Sequence, residues 1–205
     1  MSRIIGVSGI HTDGGGSTDR LLDRLNGRMD TLDFNYDRVN LITARSRTRQ
    51  RDIGRRLYHR ALVDDHVVAH SYGALIVQRA MEAGAQFGAV FLFSPAMDSR
   101  EYFPAQGAQQ IHIISNPADR AIGLGALLYR HDFGLMGRDG YQGPPDDRVV
   151  DFRTRDEGDD HDPLHHSAPQ GTFSCSAIHL DYFMGAGLSG WAQYVARHIR
   201  IMDGG

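Results

Sequence analysis

The chain has 205 residues, a formal net charge of −3 and a pI near 6.4, which suits one α/β domain with a real core and disfavours a general nucleic-acid binder. Its single cysteine, Cys175, excludes an intrachain disulfide, and no apolar run approaches the roughly 18 residues of a membrane span. With Met1-Ser2-Arg3 running straight into a strand pattern, the expectation is a leaderless, cytoplasmic protein in which residues 1–205 form a single domain.

The run Arg3-Ile4-Ile5-Gly6-Val7-Ser8 predicts a buried parallel strand that ends at Gly9. A loop of Ile10, His11, Thr12, Asp13, Gly14, Gly15 and Gly16 follows, and Ser17 or Thr18 is placed to cap the helix marked by Leu21, Leu22 and Leu25. The glycines have neither the Gly-Lys-Ser/Thr of a phosphate loop nor G-x-G-x-x-G spacing. Asn35 to Thr43 predicts a second strand with Val39, Leu41 and Ile42 inward. From Arg45 to Arg60 seven arginines stand against Asp52 on a predicted helix whose buried stripe is Ile53, Leu57, Ala61 and Leu62. Those arginines read as a solvated face or, alternatively, as an anion-attracting one.

Asp65 to Ala69 predicts the next buried strand, and a helix begins at once after Ser71, carried by Ala74, Leu75, Val77, Gln78 and Met81 and ended by Gly84. Ala69 and Gly73 make a small-x-Ser-x-small pattern around Ser71. A serine at such a turn is held in a strained conformation, its hydroxyl raised clear of the sheet near the positive end of the helix. Ser71 is therefore a candidate nucleophile, its plainer reading being a helix cap.

At Ala69-His70-Ser71-Tyr72-Gly73 the chain resembles the α/β-hydrolase superfamily, whose turn reads G-x-S-x-G, often with histidine before the serine; Ala69 replaces the first glycine. The resemblance implies a small serine esterase or thioesterase without a cap domain, acting on a small-molecule ester or thioester with no cofactor. It also implies an oxyanion hole built from the N–H groups of Ile10, which follows Ser8-Gly9, and Tyr72; His11 reads either as an assisting substrate-binding residue or as merely exposed.

Gly88 to Ser94, closed by Pro95, and Gln110 to Ser115 predict two further buried strands, with a polar excursion or short helix from Arg100 to Gln109 between them. Strands alternating with helices imply the α/β class: a mostly parallel sheet of about six strands with helices on both faces. Asn116-Pro117-Ala118-Asp119 follows a strand's carboxyl end, where such sheets keep functional groups. Asp119 reads either as the cap of a helix over Ala121 to Tyr129 or as the acid that the superfamily carries in an x-P-x-D loop. Gly123 to Pro145 predicts a helix and then an irregular loop covering part of the site, and Arg148 to Arg153 a last strand near an edge.

From Asp156 to His166 the chain is acidic and histidine-bearing, but it lacks H-E-x-x-H spacing and is assigned no metal. Ser176-Ala177-Ile178-His179-Leu180-Asp181-Tyr182-Phe183 resembles the segment that carries the triad histidine in some small α/β-hydrolases, which implies His179 as the base, with His165 and His166 as alternatives. Leu188 to Ile201 closes the chain as a packing helix. A serine hydroxyl needs a base and a carboxylate that fixes the base's tautomer. Ser71, Asp119 and His179 supply these in the superfamily's chain order. The competing reading is an α/β domain that binds an anion or nucleotide through Gly14-Gly15-Gly16 and the arginine-rich helix; a third is a hydrolase-like scaffold with a silent site.

Overall fold

The computed structural model describes residues 3–10, 16–36, 39–128, 133–154, 183 and 185–204. Short runs of Val, Ile, Phe and Ala form the centre of the sheet as β1 (Arg3–Val7), β3 (His66–His70), β4 (Phe87–Phe93) and β5 (Ala108–Ser115). Such side chains fit a pleated surface that is buried on both faces. The edge strands β2 (Asp30–Asp33) and β6 (Val149–Arg153) complete a six-stranded sheet of order β2-β1-β3-β4-β5-β6, parallel throughout.

Around it stand α1 (Asp19–Leu25), α2 (Leu41–Ala44), α3 (Arg47–Arg60), α4 (Tyr72–Glu82), α5 (Arg120–Leu128), α6 (Met136–Asp139) and α7 (Gly185–Met202). Because strand side chains alternate between faces, each face has its own core. Ile5, Val7, Val67, Ala69, Val90 and Leu92 meet α3 and α4, while Ile4, Val68, Ala89, Phe91 and Phe93 meet α1 and α7. The α/β class and the helices on both faces agree with the sequence pattern.

The chain leaves β1 for β2 on one side and then returns past β1 to β3 on the other. This reversal makes a crevice at the carboxyl ends of β1 and β3, the place where open α/β sheets hold ligands. Val7 pairs with Ala69 at that end, just short of Ser71.

Several expected elements differ. Asn35 to Thr43 is not a strand: β2 lies earlier, and α2 begins after Asn40, whose side chain accepts from Thr43 N–H (2.9 Å) while Thr43 Oγ1 accepts from Asn40 N–H (3.1 Å). That reciprocal capping box starts a helical turn despite the strand propensity of Ile42 and Thr43, and Ile42 ends up 79% exposed. Helix α3 stops at Arg60, so Leu62 leaves the predicted stripe and is exposed. Thr18 precedes α1 without capping it, because its hydroxyl is bonded to Ser8 Oγ instead (2.9 Å). Residues 95–107 form turns and no helix.

On β5, His112 is stacked on Phe91 (ring centroids 4.6 Å apart) with its Nδ1 2.7 Å from Tyr194 Oη. Burial, and then the neighbouring His198, pushes this imidazole down to about 3. The unfolded chain takes up a proton near pH 6.5 that the folded chain refuses, so the stability is complete above about 6.5 and falls as pH drops toward 3. The slope reaches about 1.4 kcal/mol per pH unit. His112→Phe, which keeps the stack, is expected to flatten it. Urea unfolding near neutrality and at about pH 4.5 reads the difference, and equal acid losses in the two proteins would assign the slope to other groups.

Candidate active site

Strand β3 carries the chain to the crevice, and α4 starts one residue after Ser71. Ser71 has φ 53° and ψ −119°, a conformation that costs a residue other than glycine about 1–3 kcal/mol. Backbone bonds hold it there: its N–H donates to Phe93 O (3.0 Å), and its carbonyl accepts from Ala74 N–H (3.2 Å) and Ala96 N–H (3.1 Å). The side chain makes no capping bond to α4, so the plainer cap role is not the one it plays.

Small neighbours allow this turn. At Gly73 a Cβ would collide with the carbonyl oxygens of Val7 and Ser8, so the first turn of α4 crosses directly over the end of β1. At Gly9 a Cβ would stand 3.1 Å from Ser71 Cβ, which puts the loop after β1 against the serine. Tyr72 is the first residue of α4, and its N–H, like the others of a first helical turn, has no acceptor within the helix. Its phenol is buried, which pushes the hydroxyl up to about 12, and Oη has no hydrogen-bond partner among the described residues.

The loop after β1 is held from several directions. Tyr36 Oη donates to the Ser8 and Gly9 carbonyls, the latter at 2.9 Å. Gly9 N–H donates to Ser17 Oγ (3.3 Å), which is itself 2.7 Å from His70 Nδ1. Ile10 is half-buried against the core beneath α3 and α4. Sequence pattern singles out neither Tyr36 nor Ser17 as part of a site: one falls in a predicted strand and the other in a predicted cap.

Asp119 follows β5 and is fully buried, with Oδ1 accepting from Ile122 N–H (3.0 Å) at the start of α5. The capping role is thus real. A carboxylate offers two acceptor oxygens, so it can cap a helix and orient an imidazole at once. One strand, β4, separates β3 from β5, placing the ends that carry Ser71 and Asp119 about 10 Å apart. Ser94, at the end of β4, has φ 42° and is completely buried, unavailable to substrate.

Phe183 packs on the same edge, its ring 5.0 Å from that of His70 and 5.4 Å from that of Phe93. His179 and His11 lie outside the described residues, as do His165, His166, the acidic segment from Asp156 to Asp162, and Gly14 and Gly15. Among the described residues no cluster of His, Cys, Asp or Glu is placed to hold a metal, and no helix is long and apolar enough to cross a membrane.

On the α3 and α4 side a cleft of about 200 Å³ is lined by the charged Arg47, Arg79, Asp98 and Glu101 together with Leu75 and Phe133, and Ser71 is not among its lining residues. It shares Asp98, Phe133 and Gly134 with a larger cleft of about 490 Å³ that reaches Arg100 and Arg138. The arginines of α3 lie mostly on its exposed side, with Gln50, Ile53 and Leu57 turned inward. The amide of Gly16 is already engaged by Asp19 Oδ2 (2.6 Å), an anion supplied by the chain itself. No family model matches the chain, and no curated protein matches it.

Proposed function

We propose that the protein is a serine hydrolase of the α/β-hydrolase kind, cleaving a carboxylic ester or thioester through an acyl-enzyme on Ser71. The observation that carries this reading is the strained backbone of Ser71 between a parallel strand and a helix, at the sheet's topological switch point. Strain at a residue whose side chain makes no capping bond to the helix suits a conformation kept for function.

In this reading Ser71 Oγ attacks the acyl carbonyl while His179 takes its proton and Asp119 holds the imidazole in the correct tautomer. The N–H groups of Ile10 and Tyr72 receive the oxyanion, each worth about 3 kcal/mol by comparison with other hydrolases. His179 then protonates the departing alcohol or thiol. Water, deprotonated by the same imidazole, attacks the acyl-enzyme, and the acid leaves as Ser71 recovers its proton. His11, next to the donor Ile10, is the candidate for a further substrate contact.

Support for His179 comes from Phe183. Phe183 packs on His70, and four residues of extended chain span up to about 14 Å, a length compatible with a base four positions earlier that serves Ser71. His179→Ala is expected to lower p-nitrophenyl ester turnover by about 10³- to 10⁴-fold or more, whereas His165→Ala leaves it near wild type. The reverse pattern would move the base to the earlier segment.

The anion-binding reading draws on the exposed arginines of α3. Its signature is thermal protection by phosphate in a protein that turns over no ester and takes no fluorophosphonate label.

A further inference from the structure

We propose that Tyr36 and Ser17 are positioning residues that aim the Ile10 N–H at the oxyanion by gripping the two peptide groups of Ser8-Gly9-Ile10. The inference rests on the serine hydrolase reading. A trans peptide is planar, with its C=O and N–H pointing opposite ways, so a partner that fixes one end sets the direction of the other. The peptide between Ser8 and Gly9 is held at both ends: Tyr36 Oη donates to its carbonyl, and its N–H donates to Ser17 Oγ (3.3 Å). The next peptide, between Gly9 and Ile10, shares the single Tyr36 hydroxyl proton through its own carbonyl (2.9 Å) in a three-centre bond, which turns the Ile10 N–H away from the tyrosine.

The anchors themselves have little freedom. The Tyr36 ring is 1% exposed, between Phe34 (6.1 Å) and Tyr72 (6.2 Å). Burial, followed by the neighbouring Tyr72 and Asp33, holds its phenol far above the ordinary tyrosine range, so it remains a donor throughout the working pH. Ser17 is 2.7 Å from His70 Nδ1, which ties the grip to the residue before the nucleophile. Gly9 supplies the reason a grip is needed. A Cβ there would stand only 3.1 Å from Ser71 Cβ, a tight fit that favours glycine, and glycine left alone samples several backbone conformations that would point the following N–H elsewhere.

The test compares Tyr36→Phe and Ser17→Ala with wild type on a p-nitrophenyl ester and on binding of a phenylboronic acid, which forms a tetrahedral adduct with the serine. Misdirecting one oxyanion donor is expected to lower kcat by about 10- to 100-fold with KM within about twofold, and to weaken the boronate in proportion. A merely structural tyrosine would lower the melting temperature without that split. Unchanged kcat, or a loss carried wholly by KM, overturns the inference. Should Tyr36→Phe fail to fold, Ser17→Ala, at a half-exposed position, decides by the same criterion. Wild type that neither turns over ester nor takes a fluorophosphonate label would instead remove the hydrolase reading, and the role of the grip with it.

Discussion

Ser71→Ala is expected to abolish fluorophosphonate labelling and to cut kcat by about 10⁶-fold, because without the hydroxyl no acyl-enzyme forms. Ser94→Ala, at a buried position one strand away, keeps the label. The informative companion is Ser71→Gly. Glycine adopts φ 53°, ψ −119° at little cost, so this variant should be as inactive as the alanine one yet more stable than wild type by about 1 kcal/mol, after the extra entropy of glycine in the unfolded chain is subtracted. Alanine keeps the strain and should remain close to wild type in urea unfolding. Gain of stability with loss of activity identifies a conformation kept for chemistry rather than for folding. Label retained in Ser71→Ala would mean that some other group is the nucleophile.

Asp119→Asn separates the two duties of one carboxylate. Asparagine caps helices as well as aspartate does, so the bond to Ile122 N–H and the melting temperature should survive. The amide has lost the charge that steadies an imidazolium and favours the wrong tautomer, so kcat should fall by about 10⁴-fold. Asp119→Ala loses the cap as well and should cost roughly a further 1 kcal/mol of stability. Asp119→Asn with full activity would reduce Asp119 to a helix cap and send the search for the acid elsewhere on the sheet's carboxyl edge.

These two experiments probe positions that sequence pattern already singles out, and the reason is locality. A β-branched run such as Arg3–Val7 or His66–His70 announces a buried strand within its own few residues, and the small flanks of Ser71 are visible two positions away. Edge strand β2 announces nothing. Asp30-Thr31-Leu32-Asp33 is exposed or half-buried, so it lacks the apolar run that marks its neighbours. The short helix α2 is missed for another reason: the Asn40 and Thr43 cap competes with the strand propensity of the residues it encloses.

By itself, the sequence determined the α/β class, the alternation of strand and helix, and the placing of Ser71 and Asp119 just past strand ends, since each depends on contacts within a few residues. Only the tertiary structure decided the order β2-β1-β3-β4-β5-β6, and with it the crevice between β1 and β3. It also brought the Tyr36 hydroxyl to Ser8 and Gly9, 28 and 27 residues away along the chain. Such meetings arise from long-range strand pairing and from the burial of Phe34 and Tyr36 beside β1, and no local periodicity encodes them.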